Sequence, residues 1–122
     1  MFSFFKSKKE KMNWNQLSSE SQIEEIKKES ENHPVLIFKH STTCPISSTA
    51  LNRMERNYKQ EEVNDLKVYY LDLLSNRGLS NAIAMAFNVE HESPQVILVK
   101  NGQSVYTESH FGISFEDLKT AL

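Results

Sequence analysis

The sequence predicts one α/β domain in which a central mixed sheet of about four to five strands is flanked by helices. Three observations support this. The continuous apolar run 35–38 and the segment 95–99, which is apolar after Gln95, have the length and β-branched content of strands. Amphipathic segments alternate with these runs. An Asn-Gly pair at 101–102 separates the last two strand-like segments, which is typical of a hairpin. The element order is βαβαβαββα, and 122 residues suit a single domain.

The first half of the chain begins with a short edge strand at 14–17. A helix follows, with Ser18 or Ser19 as its cap, and it stops before Pro34. The run 35–38 is expected to be buried on both faces, since it shows no polar alternation. A polar loop then leads into a helix whose first position is Pro45.

The second half is predicted to start with a strand at 66–71 and a helix over 80–87 capped by Ser80. Met85 is expected on the core face of that helix. The strand at 95–99 and the strand at 104–108 form the hairpin. Ser114 caps a closing helix.

Composition and the N-terminus narrow the class of protein. Residues 1–12 read MFSFFKSKKEKM and are predicted to form a flexible basic and aromatic tail before the domain at 13–122. Aromatic residues precede the lysines, which is the wrong order for a signal peptide. No apolar run approaches the ~20 residues that span a bilayer. We therefore expect a cytoplasmic protein with no stable membrane association, and a net charge of -2 gives no reason to expect nucleic acid.

The chain has one cysteine, Cys44, so it cannot form an internal disulfide. A single cysteine suits a reducing cytosol better than a secreted domain. The four histidines lack paired metal-ligand spacing, so no metal site is predicted. They are His33, His40, His91 and His110.

Cys44 lies where a buried strand passes through a polar loop into a helix. The first turn of a helix presents unpaired N–H groups and a partial positive charge, and both favour a thiolate over a thiol. A thiolate is the attacking species in disulfide exchange. The alternative interpretation is a buried structural cysteine.

The string from Thr43 to Ser47, Thr-Cys-Pro-Ile-Ser, resembles the active-site loop of thioredoxin-like proteins, with serine in place of the second cysteine. More specifically, it resembles the YtxJ family of monothiol bacilliredoxins. Ser93-Pro94 is similar to the cis-proline of thioredoxins, and Asn101-Gly102 to their hairpin turn. The resemblance covers nearly the whole domain and implies a thioredoxin-like fold. The active-site loop that it implies consists of Thr43, Cys44, Pro45, Ile46 and Ser47.

The resemblance also implies an activity. Cys44 would remove bacillithiol from S-bacillithiolated proteins by taking the bacillithiol onto itself. Ser47 cannot resolve the resulting mixed disulfide, so free bacillithiol, another redoxin or a reductase would regenerate Cys44. Bacillithiol is then a cosubstrate, no tightly bound cofactor is expected, and the protein would act as a monomer. The backbone of Ser93 beside a cis Pro94 would bind the substrate or the small thiol.

Neighbouring residues leave several alternatives open. Lys39 and His40 end the buried strand and could lend positive charge to the thiolate. Lys39 could equally extend its ammonium to solvent, and His40 is expected mainly at the surface. The Ser47 hydroxyl either hydrogen-bonds the thiolate or is an ordinary first-turn serine. Thioredoxins carry a buried acid where this sequence has Phe38.

Two other functions are compatible with the sequence. One is a non-catalytic thioredoxin-fold binding module, because fold does not determine function. The other is a peroxide-reactive thiol protein. The latter usually needs an arginine near the sulfur, and Arg53 lies nine residues along the helix from Cys44.

Overall fold

A computed structural model describes residues 12–122. The strands are β1 (Asn15–Gln16), β2 (Val35–His40), β3 (Lys67–Asp72), β4 (Gln95–Lys100) and β5 (Gln103–Ser109). The helices are α1 (Ser21–Glu29), α2 (Pro45–Asn57), the single-turn α3 (Gln60–Val63), α4 (Arg77–Ala86) and α5 (Phe115–Ala121). Residues 1–11 of the predicted tail lie outside the described residues. Met12, at the end of that tail, is buried against the core.

The sheet has five strands in the order β1-β3-β2-β4-β5. Strands β1, β3 and β2 run parallel, whereas β4 is antiparallel to β2 and β5 is antiparallel to β4. The parallel pairs require crossover connections, and α1 and α2 provide them. This mixed sheet with flanking helices confirms the predicted fold class.

All six residues of β2 are buried because helices cover both faces of the sheet. Leu36 and Phe38 belong to the core cluster beneath α2 and α5. Val35 and Ile37 belong to the cluster beneath α1 and α4. Side chains alternate along a strand, so a strand covered on both sides has no polar position in its centre. The continuous apolar run is the signature of that arrangement.

The β4–β5 turn follows directly from its sequence. Asn101 and Gly102 have φ angles of 53° and 76°. Two consecutive residues with positive φ are characteristic of the hairpin turn whose twist matches that of the strands. Glycine and asparagine tolerate this conformation better than other residues. The hairpin prediction is therefore correct.

Three predicted helix details differ from the structure. Helix α4 begins at Arg77, so Ser80 is not its cap but a fully buried residue inside the helix. Met85 is 84% exposed rather than packed in the core. The residue before α1 is Glu20, so neither Ser18 nor Ser19 is the cap. The backbone N–H groups of these two serines donate to the Gln22 side chain instead.

The closing helix does begin as predicted. The Ser114 hydroxyl accepts the Asp117 N–H at 3.0 Å, which satisfies one of the free donors of α5. Within residues 12–122, no helix is long and apolar enough to cross a membrane.

Candidate active site

Cys44 occupies the cap position of α2, directly after the loop that leaves β2. Its backbone is extended, with φ −103° and ψ 117°, and Pro45 begins the helix. The Cys44 N–H donates to the Ser41 carbonyl at 3.2 Å, which holds the loop in a tight turn. The thiol is partly exposed. No side chain caps this end of α2, so its first N–H groups are available to stabilise negative charge at the sulfur.

The Ser93–Pro94 segment lies at the same edge of the sheet as Cys44. Lys39 pairs with Gln95 across β2 and β4, so the loop after β2 and the loop before β4 leave the sheet side by side. The Ser93–Pro94 peptide bond is cis, the geometry that the resemblance implies. The Pro94 carbonyl accepts the His110 N–H at 3.0 Å, which fixes the loop to the end of β5.

Ser47 is fully buried, and its hydroxyl binds the loop and the end of β2. The oxygen lies 2.6 Å from His40 Nδ1 and accepts the Ser41 N–H at 3.0 Å. Within residues 12–122, no hydrogen bond joins it to the Cys44 sulfur. Ser47 is thus neither a direct donor to the thiol in this state nor an ordinary first-turn serine.

His40 is 5% exposed, so the expectation of a surface role is wrong. Strand β2 extends to His40, and the ring lies between the strand and α2, with the Tyr70 ring 5.6 Å away. Burial lowers the pKa of His40, while the charges of Asp72 and Glu55 partly oppose that shift. The imidazole is therefore mainly neutral at pH 7.

Lys39 has no exposed surface, so it does not reach solvent as one alternative proposed. Its ammonium donates to the Ser80 carbonyl at 3.1 Å and lies 3.4 Å from His91 Nδ1. These partners are on the α4 side of the sheet, opposite to His40. Burial lowers the pKa of Lys39 to about 8. The Lys39 ammonium therefore forms its hydrogen bonds on the α4 face of the sheet, whereas Ser47 and α2 lie on the other face.

Three exposed apolar side chains surround this edge of the sheet. Ile46 is the second residue of α2, Leu74 follows the end of β3, and Phe111 follows the end of β5. Phe111 is 77% exposed. Phe111 and Leu74 carry no signal of a site in the sequence, because single apolar residues in loops are common and only the topology brings these ends together.

Two features bear on whether the site could use a buried acid or a metal ion. Phe38 is buried in the core at the place where thioredoxins carry an acid. Within the described part of the chain, no group of three or more histidine, cysteine or carboxylate side chains is arranged to bind a metal.

Comparisons with known proteins identify the family and the fold. A family model described as monothiol bacilliredoxin BrxC matches residues 15–118. A solved structure described as a candidate oxidoreductase with a thioredoxin fold is 39% identical, with a TM-score of 0.73; the match covers 87% of this chain and 90% of that one.

More distant structures share the fold alone. Trxlp from Edwardsiella tarda EIB202 is 21% identical with a TM-score of 0.63, over 86% of this chain and 94% of its own. The thioredoxin of Malassezia sympodialis is 18% identical with a TM-score of 0.68, over 91% of this chain and 89% of its own. Together, the family match over most of the domain and the thioredoxin-fold neighbours show that this chain belongs to the monothiol bacilliredoxin family, as a thioredoxin-like protein of the oxidoreductase type.

Proposed function

We propose that this chain is a YtxJ-type monothiol bacilliredoxin that removes bacillithiol from S-bacillithiolated proteins in the cytoplasm. The observation that carries the proposal is the pairing of one partly exposed thiol, Cys44, at a helix cap with a serine at position 47. Cys44 can accept one half of a disulfide, but the chain has no second thiol that could attack the resulting mixed disulfide and release it.

The proposed exchange has one bond-forming and one bond-breaking event. The Cys44 thiolate attacks the bacillithiol sulfur of the mixed disulfide and forms a new S–S bond. The original S–S bond breaks, and the target cysteine leaves with the electron pair and takes up a proton. A second exchange with free bacillithiol or another redoxin then restores Cys44.

The surroundings of Cys44 suit a protein substrate. The backbone at Ser93 can pair with an extended segment of the target on either side of its modified cysteine. The exposed side chains of Ile46 and Phe111 offer apolar contact to that segment. Thr43 and Pro45 complete the exposed part of the loop.

The peroxide-reactive alternative receives no support from the position of Arg53. Its guanidinium donates to the Ile113 carbonyl at 2.7 Å, so it ties α2 to the segment before α5. An arginine held there does not polarise a peroxide at the start of α2.

Intact mass spectrometry tests the proposal. Reduced protein is mixed with a substrate protein that carries one bacillithiol, and the Cys44→Ser variant is the control. We expect the bacillithiol mass to move from the substrate to the wild-type chain and to stay on the substrate with the variant. A cap that remains on the substrate while Cys44 is reduced and the protein is folded would refute the assignment and favour the binding-module alternative.

A further inference from the structure

The Ser47 hydroxyl has two hydrogen-bond partners, and their chemistry determines where its proton lies. The Ser41 N–H can only donate, so it occupies one lone pair of the oxygen. A fully buried hydroxyl also needs an acceptor for its own proton. Among the described contacts of Ser47, His40 Nδ1 is the atom that can accept the hydroxyl proton. The Ser47 proton is therefore directed at Nδ1, and the neutral His40 carries its own proton on Nε2.

Protonation of His40 would redirect the Ser47 proton. Nδ1 would then be a donor, and the Ser47 oxygen would accept both from His40 and from the Ser41 N–H. With both lone pairs used, the hydroxyl has to donate to a different acceptor.

The Cys44 sulfur is the next acceptor along the chain. It makes no hydrogen bond with Ser47 in this state, so the redirected proton reaches it only when the Cys44 side chain turns toward position 47. Cys44 is the cap residue of α2 and Ser47 is its third helical residue. A cap side chain can turn toward that position, as the serine or threonine of a capping box does, although Cys44 makes no such contact in this state. The same spacing lets the two sulfurs of C-x-x-C proteins form a disulfide, which requires Cβ atoms about 4 Å apart.

We infer that Ser47 and His40 form a proton relay for Cys44, with Ser47 passing the thiol proton to the imidazole. This inference rests on the proposed function only in requiring that Cys44 react as a thiolate. The sequence suggested separate roles for the two residues, Ser47 as a hydrogen-bond donor to the thiolate and His40 as a source of positive charge. The relay gives them one joint role.

The relay moves protons and no electrons. The Cys44 S–H bond breaks and an O–H bond forms at Ser47, while the original Ser47 O–H bond breaks and an N–H bond forms at His40 Nδ1. The result is a thiolate and an imidazolium joined through the Ser47 hydroxyl. After the thiolate attacks, the departing target thiolate takes a proton from water and His40 returns its proton to water.

The charges that face His40 determine how readily it accepts this proton. Asp72 pairs with His40 across β2 and β3, and the Glu55 carboxylate approaches from α2. Both negative charges favour the imidazolium. Burial opposes it, and the rings of Phe38 and Tyr70 that contact the imidazole offer no charge at neutral pH. A thiolate on Cys44 supplies the additional negative charge that makes the protonated state favourable.

The first test compares wild type with His40→Asn in the rate at which iodoacetamide alkylates Cys44, measured by intact mass from acid to alkaline pH. The asparagine carbonyl can still accept the Ser47 proton, but it cannot be protonated. The variant therefore keeps the hydrogen bond and loses the relay. We expect the variant to react about 10-fold more slowly near neutral pH, a smaller effect than the ~10²–10⁴-fold of typical general acid–base catalysis because the thiol can also lose its proton to water.

Two further variants complete this comparison. Ser47→Ala removes the bridge and should match His40→Asn, whereas Ser48→Ala, one residue further along α2, should match wild type. If His40→Asn follows the wild-type pH profile, the relay is wrong and Ser47 only holds the loop.

The second test needs no substitution at His40 or Ser47. Imidazole ¹⁵N shifts are recorded against pH in the reduced wild type and in Cys44→Ala. The relay predicts that His40 loses its proton at lower pH in the variant, because the thiolate that stabilises the imidazolium is gone. His91, on the opposite face of the sheet, should titrate identically in both proteins, and an unchanged His40 titration would overturn the relay.

These measurements use no bacillithiol, so the two proposals can fail separately. A working relay in a protein that does not take up bacillithiol would refute only the proposed substrate. Unchanged Cys44 alkylation in His40→Asn, for a protein that does take up bacillithiol, would refute only the relay.

Discussion

The side chain at position 47 determines whether a mixed disulfide on Cys44 can be released from within the chain. In Ser47→Cys the sequence becomes C-x-x-C, and the new thiol can attack the mixed disulfide. We expect bacillithiol to leave the variant, which then carries an internal disulfide and weighs less than the reduced chain by its two thiol hydrogens. Intact mass after transfer measures this.

A second cysteine placed one residue later provides the control. Ser48→Cys adds a thiol to the same helix at a spacing that C-x-x-C proteins do not use. It should retain the bacillithiol adduct on Cys44. Retention of the adduct in Ser47→Cys as well would show that position 47 does not reach the sulfur.

Lys39 is a buried cation, and within residues 12–122 no carboxylate hydrogen-bonds its ammonium. It should therefore destabilise the fold at neutral pH. Its pKa falls from 10.5 to about 8 on folding. Between these values the unfolded chain binds more protons, so stability rises with pH over that window. We expect Lys39→Met to raise the free energy of unfolding by about 1–3 kcal/mol below pH 8, with the gain shrinking as the pH approaches 10.5.

Urea unfolding across this pH range measures the effect. Lys28→Met, at an exposed position of α1, is the matched control and should change the free energy of unfolding little at any of these pH values. A gain for Lys39→Met that did not depend on pH would mean that better packing, and not the removal of a buried charge, stabilises the variant.

At the scale of one element, α5 depends on its cap. The Ser114 hydroxyl accepts the Asp117 N–H, and alanine would leave that donor without a protein partner. We expect Ser114→Ala to lower the free energy of unfolding by about 1 kcal/mol, measured by chemical denaturation. Ser114→Asp keeps an acceptor and adds a favourable charge at the helix start, so it should restore the stability. Equal values for alanine and aspartate would contradict a capping role.

At the scale of the whole molecule, Glu29 joins α1 to the sheet. Its carboxylate accepts from Lys67 at 2.6 Å and from the Tyr69 hydroxyl at 2.7 Å. Burial raises the pKa of Glu29, but the two hydrogen bonds outweigh that effect and the net pKa lies below 4.5. The stabilisation is therefore complete above pH 4.5 and is lost as the pH falls through the folded value.

We expect Glu29→Gln to be less stable than wild type at about pH 7 and to approach it at about pH 3. Unfolding curves at the two pH values measure the difference. Glu25→Gln, exposed on the same helix, is the control and should differ little from wild type at either pH. A Glu29→Gln deficit of the same size at both pH values would show that the carboxylate charge contributes nothing.

The last two residues of β2 place different chemical groups on the two faces of the sheet. The alternate residues of β2 place His40 beneath α2, beside the loop of Cys44, and Lys39 beneath α4. One end of β2 thus places a neutral imidazole on the face that carries Cys44 and a buried cation on the other face. This division exists only because helices cover both faces.

Local patterns in the sequence were sufficient for much of the fold. The apolar run of β2, the Asn101-Gly102 turn and the Ser114 cap each depend on residues close together in the chain. Cys44 followed by Pro45 likewise indicated a thiol at a helix start. These features are encoded by side-chain periodicity, backbone preference and capping chemistry, all of which are local.

Tertiary packing decided what local patterns could not. His40 was expected mainly at the surface and Lys39 was expected there in one of two alternatives, yet α2 and α4 cover the end of β2 and bury both. The contact between His40 and Ser47 joins a strand to a helix across an intervening loop, and no periodicity encodes it. By itself, the sequence determined the five strands, the helices other than the single-turn α3, and where the thiol lies. Only the packed structure decided the environment of the residues around that thiol, because burial and hydrogen-bond partners depend on which distant elements cover them.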